Sequence, residues 1–248
     1  MYSNVAVYEY EVNPFFVDPN GQMTITSIIN HLQLVAYSHA DSCGWGFDAL
    51  MKNENRWVLA RLAIEMESYP RTYDQLIIET WVEDTNKAFS SRNFELKNQF
   101  GKTLGYARSI WSVINMYSRK SIDLSPIVQN IADYKSEKPC PIERPFKPLI
   151  IKNTEAVDIP IKYADIDVNR HVNSTRYVEH LLDLFPLEFH DQHDIQRFDI
   201  AYQSETRFGD SLMLHHKELE PFKYAFEIEK GSGGTACRSQ IKFKIKQH

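Results

Sequence analysis

The chain has 248 residues, 43% hydrophobic and 25% charged, with 13 Tyr and 14 Phe; this suffices for one large or two small domains and excludes a disordered chain. A net charge of -5 leaves no broad basic field, so no nucleic acid partner is expected. No apolar run reaches the roughly 18 to 20 residues of a membrane span, and "MYSNVAVYEYEV" is neither a basic leader nor a signal core, so the expected location is cytoplasmic.

Residues 23–40, "MTITSIINHLQLVAYSHA", place Ile25, Ile28, Ile29, Leu32, Val35 and Ala36 at helical spacing, with Thr24 or Thr26 as the N-cap. His31 and His39 on this helix read as rim or core residues. From Trp57 the period changes to extended runs, "WVLARLAIEME", "QLIIETWVED", "FSSRNFELKN" and "TLGYARSIWSVINMY", which predict antiparallel strands. A connecting segment follows, with Pro126, Pro139, Pro141, Pro145 and Pro148 among charges. Next come a short strand near "DIPIKYADI", a helix from Asn173 to Phe185 stopped by Pro186, and the strands "IQRFDIAYQSE", "SLMLHHKEL", "KYAFEIEK" and "CRSQIKFKIK".

One helix followed by a meander of strands therefore occurs twice. Laying "IEMESYPRTYDQL" from Ile64 over "IAYQSETRFGDSL" from Ile200 matches Ile, Ser, Arg, Asp and Leu, and "FELKNQFGKT" lies over "FEIEKGSGGT". A duplicated unit is the economical reading. Each helix can be buried only if its sheet curls around it, which predicts a double wrapped-sheet α+β fold. Its parts are residues 1–120, a linker over 121–150, and residues 151–248.

The second helix begins unusually. "DVNRHVNSTRYVEHLLD" places Asp167, Asn169 and His171 at spacings of two, so in an extended stretch their side chains would point together toward the free amides of the helix start. Such amides suit a developing negative charge. The alternative is that Asp167 and Asn169 make Asx turns and His171 bonds locally.

This stretch resembles the helix-start motif of the acyl-ACP thioesterases, close to D-x-N-x-H-V-N-N-x-x-Y. The same resemblance runs in order through "NHLQLVAYSHA", "NRWVLARLAIEMESYP", "IIETWV", "SSRNFELKN" and "ARSIWSVIN". It implies an α+β double hotdog fold, acyl carrier protein as the partner, and hydrolysis of a fatty acyl thioester that ends chain elongation. No cofactor or metal is implied, and a homodimer is compatible with it. Carried over residue by residue, the catalytic set is Asp167, Asn169, His171 and Glu205, the last in "DIAYQSETRFGDSL".

Thr206 stands where plant members carry a cysteine, and none of Cys43, Cys140 and Cys237 fills that place. The expected attack is by water, with His171 or Glu205 taking its proton, Asp167 and Asn169 orienting these groups, and an amide near Val172 or Asn173 holding the thioester oxygen. A nucleophilic Asp167 is a less favoured variant.

The first half has Tyr69 in place of Glu205, and its helix start "NGQMTITS" lacks the D-x-N-x-H set. Its apolar residues Ile28, Ile29, Leu32, Trp57, Ile64, Met66 and Trp81 are candidates to line an acyl tunnel, with plain core packing as the alternative. Arg170, Arg176, Arg197 and Arg207 are candidates to face an acidic carrier protein, or are surface and ion-paired residues. "FHDQHD" at 189–194 and the pair His215 and His216 read as exposed, turn-like sequence, and "GSGGT" as a hairpin turn. A coenzyme A thioesterase, a hotdog dehydratase and a non-hydrolytic acyl-binding protein remain as competing functions; the presence of all four catalytic candidates favours an enzyme.

Overall fold

In the computed structural model, which describes residues 2–146, 149–151 and 154–246, the Thr24 hydroxyl accepts the Ser27 amide and starts helix α1 (Ile25–Ser42). Its apolar stripe at Ile25, Ile28, Ile29, Leu32, Val35 and Ala36 is buried as the spacing predicts. A short helix α2 (Phe47–Met51) follows. The stripe packs on a five-stranded antiparallel sheet of β1 (Ala6–Glu11), β2 (Asn55–Met66), β3 (Gln75–Thr85), β4 (Ser90–Asn98) and β5 (Thr103–Asn115), in the order β1-β3-β4-β5-β2. β1 was not predicted. Its polarity runs against the usual pattern, with Tyr8 and Tyr10 turned partly inward and Val7 54% exposed.

The chain divides into two units, Met1–Pro145 and Phe146–His248. The second contains β6 (Ala156–Pro160), β7 (His193–Tyr202), β8 (Ser211–Glu220), β9 (Lys223–Lys230) and β10 (Thr235–Ile245), ordered β7-β10-β9-β8-β6. This repeats the first unit's order. Each unit is thus a hotdog, an α+β layer pair with one helix on an antiparallel sheet. Residues 231–234 form the predicted turn between β9 and β10, with Gly233 and Gly234 at positive φ.

The second helix is shorter than expected. It is α4 (Ser174–Leu182), and a separate helix α5 (Leu187–Gln192) follows Pro186. Proline disfavours the helical conformation in the residue before it, here Phe185, whose ring packs against Phe189, Tyr224 and Phe243 at 4.8 to 5.1 Å. The "FHDQHD" stretch is correspondingly structured. Phe189 stacks on His193, the first residue of β7, at 4.2 Å. His215 and His216 lie within β8, with His215 Nδ1 3.1 Å from the Thr154 hydroxyl.

The segment expected as a linker is built onto the first unit up to Pro145, while Pro148 lies outside the described residues. It forms α3 (Ser125–Ala132), donates the Ser136 amide to the Val82 carbonyl, and lays Cys140 and Ile142 on Trp81. Lys138 secures it through Glu79 and through Glu95, 2.6 Å away. Burial alone would raise the Glu95 carboxyl, but hydrogen bonds from Lys138 and Thr103 and the charges of Lys138 and Lys97 hold it at about 2.

Lys138→Met should therefore leave a carboxylate poorly compensated and cost roughly 3 kcal/mol of stability. Because the folded-state value is depressed, this contribution is present above the ordinary value of 4.5 and is lost as pH falls toward about 2. Urea unfolding of both proteins at pH 7 and pH 3 checks this: the gap between them should narrow at pH 3.

Candidate active site

The residues before α4 (Ser174–Leu182) form a closed turn. The Asp167 amide donates to the His171 carbonyl at 2.7 Å, and the Asp167 carboxylate Oδ1 accepts the amides of Asn169 at 2.8 Å and His171 at 3.1 Å. Its other oxygen faces Asn169 Nδ2 at 3.3 Å. Arg170 completes the turn at φ 63°, in the left-handed region that costs a non-glycine residue about 1 kcal/mol. The extended arrangement expected for Asp167, Asn169 and His171 is thus corrected. A short carboxylate that can collect two amides two and four residues on favours the turn.

The first unit contains the same turn. Asp18 Oδ1 accepts the amides of Asn20 at 2.8 Å and Gln22 at 2.9 Å, the Asp18 amide donates to the Gln22 carbonyl at 2.8 Å, and Gly21 stands at φ 73° where Arg170 stands. Met23 donates to Pro70 as Val172 donates to Thr206, both at 2.9 Å. The Arg71 amide donates to Asp74 and the Arg207 amide to Asp210, at 2.7 and 2.8 Å. The first half therefore lacks less than its helix start suggested. It keeps the aspartate and asparagine, and differs by Gln22 for His171 and Tyr69 for Glu205. Asp167 and Asn169 in the second unit, like Asp18 and Asn20 in the first, build this turn, and the two units differ here at His171 and Glu205.

Those two side chains meet. His171 Nε2 lies 3.3 Å from Glu205 Oε2, with the histidine side chain 13% exposed and the glutamate 39% exposed. Glu205 lies just beyond the end of β7. Its loop is pinned before it by the amides of Gln203 and Ser204, both donating to the Ala236 carbonyl, and after it by the Val172 to Thr206 bond. The pair is held by backbone on both sides while remaining open to solvent.

Two amides assigned to the thioester oxygen are already used. Val172 donates to the Thr206 carbonyl, and Asn173 to the Asp165 carbonyl at 2.8 Å. The Asn173 side chain caps α4 by accepting the Thr175 amide at 3.1 Å.

Thr206 is fully buried, and its hydroxyl is hydrogen-bonded to the Tyr177 phenol. Burial pushes that phenol up to about 12, so it stays protonated. This contact, between residues far apart in sequence, was not predictable from spacing. Cys43, Cys140 and Cys237 are free, and burial raises all three thiols above their ordinary value. Neither the threonine nor a thiol has the setting of an activated nucleophile.

Ile28, Ile29, Leu32, Ile64 and Met66 are all at most 2% exposed. Trp57 borders a cleft with Trp45 and Trp111. Trp81 is removed from this lining: strand alternation turns it to the sheet face opposite Thr80 and Val82, where it packs on Cys140 and Ile142 beneath the Lys138 ammonium. Among the arginines, Arg176 pairs with Glu179 and Arg197 with Asp199, whereas Arg170 and Arg207 are exposed beside His171 and Glu205 in the chain. His31 is buried with Nδ1 2.7 Å from the Ser27 carbonyl, a core role.

The profile of the acyl-ACP thioesterase N-terminal domain matches residues 3–132, and that of the C-terminal domain matches residues 150–245. An acyl-ACP thioesterase structure from Bacteroides thetaiotaomicron is 38% identical over 97% of this chain and 98% of its own, with a TM-score of 0.91. The 12:0-ACP thioesterase of Umbellularia californica, 20% identical over 99% of both chains, has a TM-score of 0.85 and shares the fold. Oleoyl-acyl carrier protein thioesterase 1 of Arabidopsis thaliana, a chloroplastic protein, is 28% identical over 222 residues. The match takes in 82% of this chain but 60% of that relative's length.

Proposed function

The chain belongs to the acyl-ACP thioesterase family, and from that premise we propose that it is a cytoplasmic hydrolase of fatty acyl thioesters of acyl carrier protein, releasing the free fatty acid and ending elongation. The observation that carries this reading is the 3.3 Å contact of His171 Nε2 with Glu205 Oε2 in the unit that departs from its repeat at these two positions.

A water held at the pair gives one proton to His171 or to Glu205 as its oxygen attacks the thioester carbonyl carbon. Collapse of the tetrahedral adduct breaks the carbon–sulfur bond, and the departing carrier thiolate takes the proton back. Asp167 acts on this step by position: its carboxylate fixes the His171 amide and so aims the imidazole. Both amides it accepts sit on Oδ1, and Oδ2 faces Asn169 Nδ2, an arrangement that holds the carboxylate within the turn and favours positioning over nucleophilic attack.

The first unit supplies the acyl-chain contacts, with Ile28, Ile29, Leu32, Trp57, Ile64 and Met66 as the candidates. Exposed Arg170 and Arg207 meet the acidic carrier. The test is a hydrolysis screen of the purified protein against carrier-protein and coenzyme A esters of graded chain length. Carrier esters should have the higher kcat/KM, and double replacement of Arg170 and Arg207 by Glu should raise KM for carrier esters about 10-fold or more while leaving uncharged N-acetylcysteamine thioesters little changed. Equal use of carrier and coenzyme A esters, unaffected by the charge reversal, would overturn the assignment to a carrier-protein substrate.

A further inference from the structure

The first unit contains a buried cation that the proposed reaction does not use. Arg92 on β4 is 3% exposed and borders a cleft with Tyr37, Trp45, Trp57 and Trp111. The cleft has about 20 Å³ of free volume within about 280 Å³ counted out to open solvent; the inner volume admits one water-sized group. Arg92 Nη1 donates to His39 Nδ1 at 2.7 Å and to the Thr80 hydroxyl at 3.1 Å, and the guanidinium lies 5.5 Å from the Trp45 ring centroid.

No carboxylate pairs with it among the described residues. The charges felt by Arg92 come from Tyr8 and Cys43, and burial raises both of those groups, which keeps them neutral at pH 7. Burial lowers Arg92 only to about 10, so it stays cationic. His39, lowered by burial and by Arg92 to about 4, is neutral. Since a guanidinium only donates, His39 Nδ1 must accept. The Trp45 indole N–H is buried and has no hydrogen-bond acceptor among the described residues.

The fold does not require a cation here. Phe94 matches Phe226 in the repeat, so Arg92 matches Tyr224, which packs within the aromatic cluster of Phe185 and Phe243. An uncompensated buried charge costs stability. The first unit bears that cost at a cleft lined by this unneutralised guanidinium.

We propose that this cleft is a carboxylate site, in which the Arg92 guanidinium holds the charged end of an aliphatic carboxylate against the wall formed by Trp45, Trp57 and Trp111. Two sources share that chemistry: the far end of an acyl chain bearing a terminal carboxylate, and the head of a free fatty acid. The first rests on the hydrolase reading, and the second stands without it.

Three of the four tryptophans line the cleft, so their fluorescence is the probe. The full chain is titrated with octanoate and with octanol. Octanoate should bind about 10-fold or more tighter, and Arg92→Met, which fills the space without the charge, should abolish that preference. Hydrolysis of suberoyl and octanoyl thioesters then separates the sources. Selective loss of suberoyl hydrolysis in Arg92→Met identifies the substrate tail, whereas loss of octanoate inhibition alone identifies the free acid. Octanoate binding no tighter than octanol to the unaltered protein overturns the site whether or not the variant folds, as does an undiminished preference in a folded Arg92→Met. Octanoate selectivity in a protein that hydrolyses no thioester leaves the site standing and removes the hydrolase reading instead.

Discussion

His171→Gln is expected to lower kcat on an acyl-ACP thioester about 100- to 10,000-fold, the usual cost of removing a proton-transfer group, while changing stability by less than about 1 kcal/mol. The first unit supplies the control. Gln22 holds the equivalent place in an equivalent turn, with its amide on Asp18 as the His171 amide is on Asp167. Glutamine is therefore compatible with this backbone, and what is lost is the imidazole that faces Glu205. Steady-state kinetics with a parallel thermal melt checks the two expectations together. A variant that melts normally and retains more than about a tenth of the turnover would show that His171 does not move the proton.

Glu205→Ala should cost about 100-fold or more in kcat. The carboxylate is the partner of His171 Nε2 at 3.3 Å, and its loop is fixed independently through Gln203, Ser204 and Thr206. Removing the side chain should leave that loop in place, so KM should move little and the loss should fall on kcat. Thr206→Ala is the informative contrast. It removes a buried hydroxyl bonded to Tyr177 and should lower stability more than it lowers turnover. A larger fall in turnover for Thr206→Ala than for Glu205→Ala would return the reaction to the position after Glu205.

Much of the fold was legible because its signals are local. The spacing of Ile25, Ile28, Ile29 and Leu32 gives α1, and alternation gives most of the strands. The repeat was legible where side chains shape turns, as in Arg71 to Asp74 and Arg207 to Asp210. Where tertiary packing decides, local signals failed. Phe185 continues the apolar pattern of α4 but belongs to an aromatic cluster beyond the helix, and Trp81 looks like its strand neighbours but faces Cys140 and Ile142.

The site shows the same division. The resemblance carried His171 and Glu205, separated by more than 30 positions in the chain, to a pair that the fold brings together. The spacing of Asp167, Asn169 and His171 suggested an extended stretch because alternation cannot register a carboxylate that folds back onto amides two and four residues ahead. The twin turn at Asp18 went unseen for a related reason. Its aspartate and asparagine match the second unit, but the missing histidine concealed a shared backbone.

The most direct test of water attack at the His171–Glu205 pair is acyl-ACP hydrolysis by a protein in which Cys43, Cys140 and Cys237 are all changed to Ser, measured with and without His171→Gln. The cysteine-free protein should release fatty acid at near the unaltered rate, and adding His171→Gln should reduce that rate about 100-fold or more. A folded cysteine-free protein with no activity, or one whose activity survives the loss of His171, would contradict the account.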